Sequence, residues 1–239
     1  MSDLRPWVAR LLDWNNARIR RVDGGHPNPR QVQHEAWYHE LVAAHPRIRG
    51  EWDAFVAAGG DIPLIEQTLG HPDQNEGSYW KMTPFVNLGQ GVKALQPVFP
   101  QTIDALRRVP GLRSASWSVL GPGGWIPEHV GPNGGCLRML LAVDAEDATL
   151  RVGGVENHFS DGQAVLFDDT VPHAVNNVGS RPRVVILGDL LRPVPASARW
   201  HNRAVQRTLH SMTPAYRGCA ARGAEQFVRL NPDLASAAR

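Results

Sequence analysis

Three short segments hold residue types whose chemistry needs a defined partner. They are Pro127-Glu128-His129-Val130-Gly131-Pro132, Phe167-Asp168-Asp169-Thr170-Val171-Pro172-His173, and Arg183 at the head of an apolar run. His129 and His173 are 44 residues apart, and Arg183 follows 10 residues later. A histidine at a strand end beside a Gly-Pro turn is placed to look into the mouth of a barrel. A second histidine, after another strand and a tight polar turn, can meet it there. Two imidazoles brought together suit a borderline divalent metal such as Fe(II). Arg183 is followed by Val184, Val185, Ile186 and Leu187, so its guanidinium is expected to be buried and to need an anion, a carboxylate held bidentately being the natural one. Taken singly, each residue has a plainer reading: a hydrogen-bonded core histidine, or an arginine paired with Asp169 or Asp189. The joint occurrence points to a non-haem iron site with a keto-acid co-substrate.

These residues need a frame of short strands. Between 115 and 192, segments 115–120, 137–143, 149–152, 164–167 and 183–191 alternate with Gly-, Pro- and Asn-rich turns. This pattern predicts a barrel or two-sheet jelly roll. Around it, residues 1–75 read as a helical extension, 76–195 as the jelly-roll core, and 196–239 as helical or irregular. In the first zone one helix carries Trp7, Leu11, Leu12 and Trp14 and ends at 23–29. A second carries Val32, Ala36, Trp37 and Leu41, and a third Trp52, Phe55 and Val56, stopped by Gly59-Gly60. Pro84 marks 80–88 as an edge or broken strand, and 100–108 as a helix with proline at its start. The fold class expected is mainly β (α+β), a double-stranded β-helix with helical extensions at both ends.

Composition bounds the partners. The chain has 239 residues, 25 Lys+Arg against 23 Asp+Glu, 42% hydrophobic and 20% charged residues, as ordinary globular domains do. Its basic residues are scattered along the chain, so no nucleic-acid partner is expected. Arg199, Arg203, Arg207 and Arg217 read as a solvated helix face. Two cysteines make no disulfide framework. No leader and no stretch near the roughly 18 apolar residues of a membrane span is visible, so a soluble, cytoplasmic protein with no membrane partner is expected.

The run from Ser118 to Pro193, with its P-x-H-x-G-P and F-D-D-T-x-x-H segments and the distal arginine, resembles the aspartyl/asparaginyl β-hydroxylase family of Fe(II)/2-oxoglutarate dioxygenases. The resemblance covers about a third of the chain clearly. It implies that His129 and His173 bind iron, and that Gly131 stands where most such oxygenases carry a carboxylate ligand, which this family lacks. It further implies that Arg183 and Ser118 hold the distal carboxylate of 2-oxoglutarate, that Arg138 lies near its other carboxylate, and that Trp80 belongs to the pocket. One position departs from the pattern: Leu140 stands where family members acting on protein domains have a histidine.

The reaction implied uses Fe(II), 2-oxoglutarate and O2 and yields succinate, CO2 and an alcohol. The substrate expected is an aspartyl/asparaginyl-type or related amino acid: a free small molecule, a residue presented by a carrier protein, or a peptide. Alternatives on the same scaffold are a halogenase, a lipid hydroxylase, or an inactive jelly-roll binding domain. Asp168 and Asp169 are expected either to form the turn before His173 or to support the metal site. Glu128 should point away from His129 by strand alternation.

Overall fold

The computed structural model describes residues 6–23, 28–69, 79–87, 90–145, 147–158, 160–212 and 214–236. Parts of two sequence-read features, the break at 24–27 and Leu88, lie outside them. Two antiparallel sheets face one another. Their strands are β1 (Lys81–Asn87), β2 (Gln90–Gly91), β3 (Leu112–Leu120), β4 (Trp125–His129), β5 (Cys136–Asp144), β6 (Ala148–Val152), β7 (Val155–His158), β8 (Ala164–Phe167), β9 (His173–Asn177) and β10 (Arg183–Leu191). The larger sheet has the order β2-β1-β3-β10-β5-β8 and the smaller β4-β9-β6-β7. This alternation of consecutive strands between two sheets is a double-stranded β-helix, as expected.

Strand position explains strand composition. β10 runs between β3 and β5 with both faces covered, hence its nearly continuous apolar run. β6, in the four-stranded sheet, shows buried and accessible residues in strict alternation. Gly153 and Gly154, at φ +57° and +81°, make the tight β6–β7 hairpin that a side chain would strain. Pro84 does not sit on the outermost strand of its sheet. The outer neighbour β2 pairs only with Val86 and Asn87, and the register with β3 slips between Pro84 and Val86. The missing N–H therefore falls at a bulge with no outer partner.

The helices are α1 (Pro6–Val22), α2 (Ala36–Ala57), α3 (Ile65–Leu69), α4 (Pro100–Arg107), α5 (Ala196–Met212), α6 (Pro214–Leu230) and α7 (Pro232–Ser236). The second and third helices read from the sequence are one: α2 runs through Pro46, its apolar face (Leu41, Ile48, Trp52, Phe55) held by the core. Tertiary packing here overrides the proline penalty. That core lies between the outer face of the larger sheet and α2, α4 and α6. It centres on Trp52, Phe55, Phe85, Phe99, Trp117 and Phe227. A second apolar cluster fills the roll between the sheets: Leu120, Ile126, Leu140, Leu150, Phe167, Val175 and Val185. α1 packs on α5 through Val8, Leu12, Val205 and Leu209.

Candidate active site

His129 ends β4 and His173 begins β9, and the two are register partners. Their pairing depends on a bulge. Ile126 opposes Val175, yet His129 rather than Glu128 opposes His173. The extra residue lies at Pro127-Glu128, where proline gives up no ladder donor. Without it, Glu128 would face the interior of the roll. With it, His129 does, and Glu128 turns outward to a 3.5 Å ion pair with Arg151.

The ring centroids of His129 and His173 are 4.1 Å apart. His129 Nδ1 donates to the Pro127 carbonyl at 2.8 Å and His173 Nδ1 to the Val171 carbonyl at 2.9 Å. A carbonyl only accepts, so each Nδ1 carries the proton and each Nε2 keeps its lone pair. A backbone carbonyl holding Nδ1–H is the arrangement that orients metal-ligating histidines and turns Nε2 to the metal. Burial, with His129 and Arg138 nearby, lowers the His173 pKa to about 4. The imidazole is therefore neutral and able to bind a cation at neutral pH. Among the described residues no third His, Cys, Asp or Glu completes a three-ligand group.

Gly131 shows why none comes from the position two residues after His129. A Cβ there would lie 2.2 Å from Asp169 Oδ2 and 2.3 Å from its Cγ. The Asp169 carboxylate already fills the space. It is buried, held by Arg138 Nη2 at 2.9 Å, and tied back by a Gly131 N–H bond to its own carbonyl at 2.6 Å. Arg138 also donates through Nε to Asp189 at 2.8 Å. Asp168 is the turn-former: its Oδ1 accepts from Thr170 N and Oγ1. Asp169 does not receive the His173 N–H, which goes to the Val171 carbonyl; it pairs with Arg138 instead.

Arg183 is buried as expected and forms no ion pair with an acid among the described residues. Asp169 and Asp189, its candidate partners from the sequence, both belong to Arg138. Arg183 is 2% exposed, and its Nε and Nη2 have no hydrogen-bond partner; burial lowers its pKa to about 10. Ser118 is its diagonal neighbour on the inner face, since Arg183 opposes Leu120 and Val185 opposes Ser118. Trp80 Nε1 donates to Ser118 Oγ at 2.9 Å. An indole only donates, so the Ser118 hydroxyl proton remains for a ligand. Leu140 lies on the same inner face, packed in the cluster that fills the roll. An outer cleft lined by Trp52, Val56, Ile62 and Val184 lies on the opposite face of the larger sheet and holds none of these groups.

One support was not legible. Arg192 is buried and donates to the Gly134 carbonyl, and pairs with Asp23 and Asp168. Asn16 bonds the Pro132 carbonyl and Gly134 N–H, Asn202 the Gly135 carbonyl, and Gln206 the Asn133 side chain. These side chains clamp the 131–135 loop that leaves His129. Asn15-Asn16 on the apolar side of an amphipathic helix is the signal that could have revealed it.

The titrations of His173 and Asp169 oppose one another. His173 takes up its proton near 6.5 when unfolded and near 4 when folded. Its contribution to stability is full above 6.5 and lost as pH falls toward 4. Burial, opposed by Arg138, raises Asp169 from 3.8 to about 6. Its contribution is full below 3.8 and lost as pH rises through 6. Between pH 4 and 6 the two slopes compensate in the metal-free protein. Asp169→Asn should expose the histidine slope, with stability falling as pH drops from 6.5 to 4. Urea midpoints of both proteins across that range check this; parallel curves would refute it.

A profile of the family described as aspartyl/asparaginyl beta-hydroxylase matches residues 43–193. The chain belongs to that family. The ornithine lipid ester-linked acyl 2-hydroxylase of Rhizobium tropici is 30% identical over 176 residues, covering 71% of this chain and 62% of that protein. The human aspartate beta-hydroxylase domain-containing protein 2 is 39% identical over 89 residues, 36% of this chain and 24% of its own. The chain thus spans less than two thirds of either relative. A solved cupin domain of an XRE-family transcriptional regulator from Enterobacter cloacae overlaps 48% of this chain and 97% of its own, at 18% identity and a TM-score of 0.33. The fold rests on the strand order described above.

Proposed function

We propose that this protein is an Fe(II)- and 2-oxoglutarate-dependent hydroxylase. The observation that carries the reading is the buried Arg183 guanidinium, whose Nε and Nη2 have no hydrogen-bond partner among the described residues, on the inner face of the roll that also carries two Nδ1-protonated histidines. A buried cation without a counter-ion is costly, by several kcal/mol, and a dicarboxylate co-substrate supplies the missing anion. His129 and His173 would hold the metal through Nε2. Arg183 would take the distal carboxylate, with the Ser118 hydroxyl, oriented by Trp80, donating to it. Bound iron with 2-oxoglutarate supplies the oxidation of an unactivated C–H bond by O2. Arg138 clamps Asp169 beside Gly131, two residues after His129, and the apolar inner wall, including Leu140, would exclude water.

Family membership supports an amino-acid-type substrate oxidised at an aspartyl or asparaginyl carbon. A second reading, oxidation of a lipid acyl chain, is favoured by the Rhizobium tropici relative, whose similarity extends over 71% of the chain. Anaerobic absorption spectroscopy tests the common core. Fe(II) plus 2-oxoglutarate should produce a visible metal-to-ligand charge-transfer band; its absence would overturn the proposal. Succinate yield and a product heavier by one oxygen, measured with aspartyl peptides and with amino-acid-headed lipids, then separate the two substrates.

A further inference from the structure

The two helices that flank the 131–135 loop carry most of the molecule's charge asymmetry. α1 holds Arg10, Arg18, Arg20 and Arg21 against Asp13 alone; α5 holds Arg199, Arg203 and Arg207 and no acid. The pair is therefore +6 in a chain whose net charge is +2. The remainder is acidic on balance, so the positive field is concentrated on this side.

The same two helices expose tryptophan. On α1, Trp7, Leu11, Trp14, Arg18 and Arg21 recur at i, i+4, i+7, i+11 and i+14, one helical stripe. This stripe borders the buried face of Val8, Leu12, Asn15 and Ile19, and Leu11 packs partly on the cluster that Val8 and Leu12 form. On α5, Trp200, Arg203 and Arg207 recur at i, i+3 and i+7. The two stripes join through buried His201, which contacts Trp14 at 5.5 Å and Trp200 at 5.8 Å between ring centroids. Arg18 lies over the Trp14 ring at 5.3 Å. Trp7 is 37%, Trp14 47% and Trp200 69% exposed. Three accessible indoles in a field of arginines are not a merely solvated face, because solvation asks for no tryptophan.

We infer that the α1/α5 face docks on an anionic lipid bilayer and sets the mouth of the site against it. Indoles settle at the headgroup level, where one edge is apolar and the other wet. Arginines on the same face meet lipid phosphates, each contributing about fivefold in partitioning. The placement suits a lipid substrate: Asn16, Asn202 and Gln206 bind the loop leaving His129 from the adjoining sides of these helices. That use rests on the lipid reading above, whereas docking itself does not need the metal. Among the described residues no helix is long and apolar enough to cross a membrane, so the contact is peripheral. It departs from the sequence expectation of no membrane partner.

Co-sedimentation of the metal-free protein with phosphatidylcholine vesicles, with and without phosphatidylglycerol, tests this. Binding should require the anionic lipid and weaken with salt. Arg203→Glu with Arg207→Glu should reduce it by at least about tenfold, and Trp7→Ala with Trp200→Ala should abolish the part that survives high salt. Circular dichroism identifies any variant that has lost its fold. No anionic-vesicle binding by the parent protein, binding indifferent to the charge reversals, or stronger capture by a single-stranded oligonucleotide at equal phosphate would each overturn the proposal. Vesicle binding without any lipid oxidation would leave the docking face standing and refute only the lipid substrate.

Discussion

Replacing Arg183 with methionine should make the metal-free protein more stable while destroying its affinity for 2-oxoglutarate. The two effects have one cause. In the folded chain Arg183 is 2% exposed and its Nε and Nη2 find no acceptor among the described residues, so folding strips these atoms of water without replacing the lost hydrogen bonds. A methionine fills much of the same volume without a charge to desolvate. Exchanges of buried charges for apolar residues have gained about 1–4 kcal/mol, and a raised urea midpoint of that order is expected. With 2-oxoglutarate and iron present the order reverses. The parent protein should gain about 2.7 kcal/mol at a hundredfold excess over its dissociation constant, and the variant nothing. Loss of one member of a buried, hydrogen-bonded charge pair costs about 2–5 kcal/mol, a weakening of the co-substrate of at least thirtyfold. Arg183→Lys should fall between, keeping the charge and losing the bidentate fork. A variant that is destabilised without ligand, or that still binds 2-oxoglutarate with parental affinity, would show that Arg183 serves the fold and not the co-substrate.

What could be read in the sequence, and what could not, divides along the distance over which each signal acts. β8 and β10 were legible to the residue, because an apolar run between turn residues is a local pattern. The histidines were legible as residue types beside turns. Their meeting was not, because it depends on a bulge that cancels one residue of alternation between Ile126 and His129, and nothing local in Trp-Ile-Pro-Glu-His requires it except the permissive Pro127. β7 and β9 were missed for a related reason: Val-Glu-Asn-His and His-Ala-Val-Asn-Asn carry too few apolar residues to register as strands. They are held by pairing with β6. The division of one helix into two erred in the opposite sense: α2 runs on through Pro46 because the core seats Ile48 and Trp52 on its apolar face.

The arginines show the same limit at longer range. Arg183 was expected to be buried, and it is, because the strand around it is apolar. Which acid it would meet was open between Asp169 and Asp189. Arg138 takes both, and this is visible only once β5, β8 and β10 are aligned. The basic residues looked scattered because α1 and α5 lie at opposite ends of the chain. Packing Val8 and Leu12 on Val205 and Leu209 brings seven arginines together on two adjacent helices.

Substitution of His173 by alanine should abolish iron-dependent succinate formation, a loss greater than the roughly 10–100-fold that follows when only a group hydrogen-bonded to a metal ligand is removed. Among the described residues there is no third ionisable ligand to share the load, so removing one imidazole leaves His129 alone. Since His173 is 4% exposed and packs edge-on against Phe167, His173→Gln is the companion variant that keeps volume. Both should lose the charge-transfer band while the metal-free fold, followed by circular dichroism, persists. The instinctive repair is to install the carboxylate that Gly131 lacks, and it should fail. Its Cβ would sit 2.2 Å from Asp169 Oδ2, and the new carboxylate would face a buried one already fixed by Arg138, a like-charge juxtaposition in a desolvated site. Gly131→Asp in the His173→Ala background should therefore restore neither the band nor turnover, and in the parent protein it should lower both. Restored turnover in the double variant would mean that Asp169 yields its place, and that this centre is a two-histidine, one-carboxylate site with the carboxylate merely absent. Failure in both backgrounds would mean that Gly131 is required by the aspartate that fills its space.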